Sequence, residues 1–281
     1  MRWFKVLLFA FVPVPLVAQN LGFEYERGTC VVVVWKPQAI AVAAESLVKV
    51  DKNRPTLQSC KIQRYSPSIL VFVTGVATIN DRTGHQIWDA KVAAQHLLRQ
   101  NNPKNKEGLI DVATLWKRQV EKLISDRVLH LDGQVDGTVV VELGLLLETS
   151  SSVSLARVVF TNKHGIIVVK PAYLVEAPLP YTYKLLRYGS CTRYIGENPS
   201  EKRNSQEEGR FDAMIEQVKN AANDDQMRVA AVNAVALAID VDKRTASKSR
   251  TLGGTISSTV YNVFTGTSVS RPVPPCSADF Y

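Results

Sequence analysis

The sequence predicts an α+β fold in which packed sheets are covered by layers of helix, and three observations carry that prediction. Apolar, β-branched runs come in pairs around short turns, as antiparallel hairpins do. Two intervening stretches place apolar residues at three- and four-residue spacings, the period of an amphipathic helix. The two kinds of segment are also grouped: strands, two helices, strands, one or two helices, then a strand. A chain built from βαβ units would alternate them instead. No internal repeat is evident.

The first pair is "TCVVVVWKPQAIAVAAES", from Thr29 to Ser46, with its turn at Lys36-Pro37-Gln38. Its strands are apolar enough to be buried on both faces. After the polar loop "VDKNRPTLQ", the stretch "CKIQRYSPSILVFVTG" forms a second hairpin turning near Ser66-Pro67. The period then changes. "HQIWDAKVAAQHLLRQ" sets Ile87, Val92, Ala93, His96 and Leu97 along one side of a predicted helix, and Pro103 and Gly108 mark the break after it. In "LIDVATLWKRQVEKLISDRV", Val112, Leu115, Trp116, Val120, Leu123 and Ile124 form a second helical stripe.

Strands return in "TVVVELGLLLE", "SLARVVFT" and "GIIVVKPAY", the last two joined by the turn "NKHG". "YKLLRYGSCTRYIG" leads to a charged stretch ending near Asp225, and then to "QMRVAAVNAVALAID", whose small apolar residues suit a helix packed in a layer. "GGTISSTVYNVF" closes the pattern as a strand, and "PVPPCSADFY" is a tail.

Composition narrows the class. The chain has 281 residues, 46% hydrophobic and 21% charged, and a net charge of +8. Its basic residues are scattered and accompanied by acids, so they read as solvated faces rather than a nucleic-acid surface. Arg2 and Lys5 precede the apolar run "VLLFAFVPVPLVA", which ends in small residues near Ala18. That is the layout of a secretory signal peptide, and it is too short and too proline-broken for a membrane span. The expected location is therefore secreted or periplasmic, with no membrane association after signal removal. Four cysteines, Cys30, Cys60, Cys191 and Cys276, fit an oxidising compartment and allow three disulfide connectivities. The four histidines lie far apart, with no H-E-x-x-H and no C-x-x-C. No metal is expected, and without a glycine-rich phosphate loop no nucleotide cofactor either.

Three polar residues punctuate the first strands: Thr29, Glu45 and Lys61. Charges at the edges of buried strands are costly unless paired, and a Glu45–Lys61 pair between neighbouring strands would satisfy that cost as a purely structural salt bridge. Thr29 alone is an ordinary strand-start residue.

Their spacing says more. Gly28-Thr29 followed by "CVVVV", then "AAES" at Ala43–Ser46, Lys61-Ile62, and "LVFVTG" ending at Gly75 resembles the proteasome β subunits in order and interval. Those are threonine peptidases of the N-terminal-nucleophile hydrolase superfamily. The two helices after Gly75, the "VVFTNKHG" hairpin and the Gly-Ser of "YGSC" continue the order, so the resemblance covers roughly residues 28 to 200, and the remainder more loosely. It implies a four-layer αββα sandwich. With the signal peptide read above at 1–18, it implies a propeptide at 19–28, a hydrolase domain at 29–270 and a tail at 271–281.

The resemblance further implies self-cleavage at Gly28-Thr29. A threonine hydroxyl is a poor nucleophile and needs a base beside it. As first residue, Thr29 would have its own α-amine, with an ordinary pKa of roughly 7.7–8. Lys61 would favour the alkoxide, Glu45 would hold Lys61 in place, the Gly75 N–H would face the oxyanion, and Ser190 would organise the amine end. The substrate would be a peptide or an acyl amide. Family analogy implies rings of subunits, although an exported chain would lack the usual ATP-driven unfoldase.

The chain departs from the family pattern in several places. Glu45 stands where the family has Asp, and Val76 follows Gly75 instead of a second glycine. The family's later Asp and Ser, before a Gly-Gly matching Gly253-Gly254, have no clean counterpart: strict spacing puts Ser249 at the Asp, whereas Asp242 and Ser247 need a gap. A non-catalytic relative used for assembly or binding, and an amidase of small acyl amides, are therefore the alternatives.

If Thr29 and Lys61 meet on one face, strand alternation brings Cys30 and Cys60 together on the other, so a Cys30–Cys60 disulfide is expected. Cys191–Cys276 is then the default second bridge.

Overall fold

In the computed structural model the described residues are 23–26, 29–48, 57–58, 60–131, 136–150, 152–196, 202–245 and 252–271. The signal-peptide region, Gly28, Ser247, Ser249 and Cys276 lie outside them. The chain is α+β, with open antiparallel sheets and helices grouped as the sequence indicates.

The first hairpin forms as expected. β1 (Glu24–Glu26) precedes it; β2 (Cys30–Lys36) and β3 (Ala39–Glu45) then pair antiparallel around Pro37-Gln38. The short strands β4 (Leu47–Val48) and β5 (Leu57–Gln58) pair with each other. The second hairpin is β6 (Ile62–Ser66) with β7 (Ile69–Gly75). There follow β8 (Thr78–Asn80), β9 (Gln86–Asp89), α1 (Ala90–Asn101) and α2 (Lys106–Ser125). The middle strands are β10 (Val139–Thr149), β11 (Ser152–Lys163), β12 (Ile166–Val169), β13 (Tyr173–Val175) and β14 (Lys184–Gly189). α3 (Cys191–Ile195), α4 (Ser205–Asn220), α5 (Asp224–Thr245), β15 (Ile256–Asn262) and β16 (Thr267–Arg271) complete the described chain.

Two larger sheets result. One runs β12-β11-β10-β7-β6, with β13 also on β11; the other runs β14-β2-β3-β15-β16. Alternation along the strands sorts their side chains into separate cores. Val71 and Val73 of β7, with Leu143 and Leu145 of β10, pack with Leu98, Val112 and Trp116 from α1 and α2. Val32, Val34, Ala41 and Ala43 pack with Ala231, Ala234 and Val235 of α5. Val31, Val33, Ile40 and Val42 from one sheet meet Leu70, Phe72 and Leu146 from the other.

Two readings of the sequence need correction. The residues before Ala90 do not join the helix: Gln86–Asp89 pair with β8, and Asp89 caps α1 by accepting from the N–H groups of Lys91 and Val92. Helix onset sets which face turns inward. The buried stripe is therefore Ala90, Ala94, Leu97 and Leu98, while Ile87 and Val92 are exposed. In α2 the buried stripe is Leu109, Val112, Ala113, Trp116 and Val120, with Leu115, Leu123 and Ile124 only partly buried.

The second correction concerns the cysteines. Cys30 bonds Cys191, not Cys60, and so Cys191 is not paired with Cys276. The face argument assumed that the Thr29 and Lys61 strands share a sheet. They belong to different sheets. Cys30 faces the helix-side core with Cys191, while Cys60, itself disulfide-bonded, packs in the core between the sheets.

Residues 24–26, within the segment read as propeptide, form a strand of the fold. β1 pairs antiparallel with β8, Tyr25 opposite Ile79. Tyr25 is buried, and its hydroxyl donates to the Val128 carbonyl at 2.8 Å.

Candidate active site

Thr29 lies immediately before β2 and is fully buried. Alternation places its side chain with Val31 and Val33, toward the core between the sheets. Its carbonyl accepts the Ser190 N–H at 2.9 Å, continuing the β2–β14 pairing by which Cys30 faces Gly189. Ser190 in turn starts the turn into α3, its carbonyl accepting from the Arg193 N–H.

Glu45 is buried at the end of β3. Its Oε1 accepts the N–H of Cys30 at 3.2 Å and its Oε2 the N–H of Gly253 at 3.3 Å. The carboxylate thus holds the peptide group that joins Thr29 to Cys30. Lys61 is buried just before β6, where Ile62 pairs with Phe72, three residues ahead of Gly75. None of Thr29, Glu45 and Lys61 is without a partner.

Gly75 ends β7 with φ +79°, a left-handed conformation that favours glycine. A Cβ there would stand 2.3 Å from the Val140 carbonyl oxygen, which accepts the Val76 N–H at 2.8 Å. Gly189, with φ +59°, is equally constrained: its Cβ would meet the Thr29 oxygen at 2.4 Å and Thr74 Cβ at 2.7 Å. Thr29, Thr74-Gly75 and Gly189-Ser190 are therefore gathered in one place. The polar contacts and close approaches join Thr29 to Glu45, Ser190 and the Gly75 turn; Lys61 is placed by its strand.

Several further residues gather at this end of the molecule, among them Asp242, which the family pattern reached only with a gap. Lys91, from α1, donates to the Cys60 carbonyl at 2.8 Å, beside Lys61. Asp242, fully buried near the end of α5, accepts from the Tyr194 hydroxyl at 2.6 Å and the Leu252 N–H at 2.8 Å. Leu252 adjoins Gly253, whose N–H reaches Glu45, so Asp242 anchors the same turn. Glu142 is fully buried and accepts from the Thr74 hydroxyl, the Gly189 N–H and Arg157. Burial alone would lower the Arg157 pKa, but the Glu142 carboxylate and the nearby Tyr188 and Tyr173 outweigh it and hold the guanidinium above its ordinary value. Glu142 and Arg157 had one signal in the sequence: lone charges inside "VVVELGLLL" and "SLARVVFT", which buried strands tolerate only when paired.

A cavity of about 670 Å³ lies elsewhere, lined by Lys36, Gln38, Tyr181, Tyr183 and Lys219 at the far end of β2. At about 3.3 Å rise per residue it is roughly 20 Å from Thr29. Among the described residues no group of three histidine, cysteine, aspartate or glutamate side chains could hold a metal ion. Among them, too, no helix is long and apolar enough to cross a membrane. The Cys30–Cys191 disulfide is consistent with an oxidising compartment. No family model matches the chain, and no curated protein matches it either.

Proposed function

We propose that the chain is an exported threonine hydrolase of the proteasome β-subunit type, activated by cutting its own Gly28-Thr29 bond. One observation carries the reading. The one peptide group that follows Thr29 is pinned at both ends by residues the resemblance singles out, with the Ser190 N–H on its carbonyl and Glu45 on its N–H, that of Cys30. The three cores, helix against sheet, sheet against sheet and sheet against helix, support the four-layer αββα arrangement.

In this reading the Thr29 hydroxyl attacks the Gly28 carbonyl, and the acyl group passes from the Thr29 nitrogen to its oxygen. Water then hydrolyses the ester, releasing the Gly28 carboxylate and a free α-amine on Thr29. That amine becomes the base for later turnovers. The hydroxyl gives its proton to the amine, attacks the substrate carbonyl and forms an acyl-enzyme as the leaving amine takes that proton; water then attacks the ester, releasing the acid and restoring the Thr29 hydroxyl. The Lys61 ammonium lowers the cost of the alkoxide, and Glu45 steadies this end of β3. A Gly75 N–H aimed at the developing oxyanion would supply about 2.7–4 kcal/mol. Peptide and small acyl-amide substrates use the same chemistry.

A second reading, a non-catalytic binding or assembly protein, is favoured by the complete burial of Thr29 and the docking of β1 just upstream. A β-lactone or peptide epoxyketone separates the two. The peptidase reading predicts one covalent adduct on Thr29 in the wild type and none in Thr29→Ala. A purified wild type that stays unlabelled under conditions that label a proteasome would refute it.

A further inference from the structure

We propose that Glu142 and Arg157 are positioning residues, a buried charge pair that sets the offset between the two sheets and thereby the geometry around Thr29. The proposal deepens, and rests on, the reading of Thr29 as the nucleophile.

Glu142 lies on β10 and Arg157 on β11. Their neighbours Val141, Leu143, Ala156 and Val158 face α1 and α2, so alternation turns the charged pair toward the other sheet. That face is the one that carries Leu70, Phe72 and Leu146 into the core with Val31 and Val33 of the other sheet. Glu142 Oε1 accepts the Arg157 Nε–H at 2.6 Å. Its Oε2 accepts both the Thr74 hydroxyl, at 3.0 Å, and the Gly189 N–H, at 2.9 Å. Arg157 donates from Nη2 to the Arg187 carbonyl at 3.3 Å and lies 4.4 Å from the centroid of the Tyr188 ring.

These contacts have a direction. Arg187, Tyr188 and Gly189 are the last three residues of β14, so the pair grips the opposite sheet along the segment that leads into Ser190. Thr74 immediately precedes Gly75. A single carboxylate oxygen therefore ties the residue before the oxyanion-facing glycine to the residue before the serine that holds Thr29. Gly189 shows how close the approach is, since a Cβ there would overlap the Thr29 oxygen and Thr74 Cβ.

Stability alone does not account for the pair. A buried ion pair is often matched or bettered by apolar residues of similar size. Apolar packing is non-directional and lets two sheets slide, whereas these hydrogen bonds fix their offset. Catalytic groups tolerate about 0.5 Å of misplacement, and about 1 Å can cost 100-fold in rate.

The test uses the full chain with Glu142→Met and Arg157→Leu combined. Two quantities are measured beside the melting temperature: the rate of Gly28-Thr29 cutting by intact mass, and amide hydrogen exchange at Gly189, Ser190 and Val76. The expected result is melting at or above the wild-type temperature, cutting slowed about 100-fold, and exchange at the three amides at least about tenfold faster. Arg157→Lys, which keeps the charge, should restore part of the rate. A folded double variant that exchanges and cuts as the wild type does would overturn the proposal. If the double variant does not fold, Glu142→Gln replaces it, and unchanged exchange at the three amides overturns the proposal in the same way. A wild type that is never cut removes the peptidase reading alone; the exchange result still decides whether the pair positions these segments.

Discussion

Tyr25 provides the sharpest test of whether the residues ahead of Thr29 are a disposable leader or a part of the fold. Its side chain is 4% exposed and belongs to the core that contains Ile79, Val112 and Leu129. The ring meets the His130 ring edge-on at 5.3 Å, and the hydroxyl contacts the Val128 carbonyl and His130 Nδ1. Truncating a buried aromatic residue to alanine costs about 3–5 kcal/mol, from lost transfer energy and the cavity left behind. For a domain of this size each kcal/mol moves the melting temperature by about 2–4 °C, so Tyr25→Ala should melt roughly 6–20 °C below the wild type. Tyr25→Phe keeps the ring and loses only the hydroxyl contacts, a loss of about 1 kcal/mol. The assay is thermal and urea unfolding of chains held uncut by Thr29→Ala, so that processing does not confuse the comparison. If Tyr25→Ala melted within about 2 °C of its parent, β1 would contribute nothing and the inference would fail. If the large loss is found, a cut at Gly28-Thr29 should leave the upstream strand bound to β8 without a covalent link.

Three further changes have worked-out signs. Gly75→Ala should destabilise by at least about 1–3 kcal/mol, because the positive φ is strained for alanine and the added carbon meets backbone at Val140; Gly209→Ala, in α4 with nothing within 4 Å of the new carbon, should stabilise by about 0.5–1 kcal/mol, and equal urea midpoints would refute the contrast. Tyr188→Phe should be neutral or stabilising by up to about 1 kcal/mol, since the buried hydroxyl has no hydrogen-bond partner among the described residues while the ring keeps its packing on Phe72 and Arg157; a clear loss of stability would contradict this. The Arg244 hydrogen bonds, at 2.6 and 2.7 Å, hold the Glu207 carboxyl below its ordinary value. The stability this pair adds is therefore complete above the ordinary glutamate pKa, about 4.3, and is lost as pH falls through the lowered value. Arg244→Ala should close most of its gap to the wild type at acid pH, as read from urea midpoints against pH, and a gap independent of pH would count against the pairing.

The strands were legible because burial on both faces demands near-continuous apolar runs, and "CVVVV", "AIAVAA" and "ILVFV" leave little choice. Their hairpin turns were legible for the same local reason. The start of α1 was not, since "HQIWDA" fits a helical period and only pairing with β8 makes Gln86–Asp89 a strand. The cysteine pairing failed at a longer range. Alternation says which face a residue takes, but not which sheet its strand joins, and Cys30 and Cys60 sit in different sheets' surroundings. Of the candidate site, the resemblance singled out Thr29, Glu45 and Ser190, and in the fold the Ser190 N–H and the Glu45 carboxylate both reach the peptide group after Thr29. It reached Asp242 only through a gap and gave no place to Glu142 or Arg157, because their partners, Tyr194 and Leu252 for the first and Thr74, Gly189 and Arg187 for the pair, come from segments distant in the chain.

The central claim concerns one peptide bond, and the intact mass of the purified wild-type chain under denaturing conditions tests it most directly. A chain beginning at Thr29, with Thr29→Ala remaining joined to Gly28, is the predicted result. A wild type that is folded, with its disulfides formed, and still carries Gly28 on Thr29 would contradict the account.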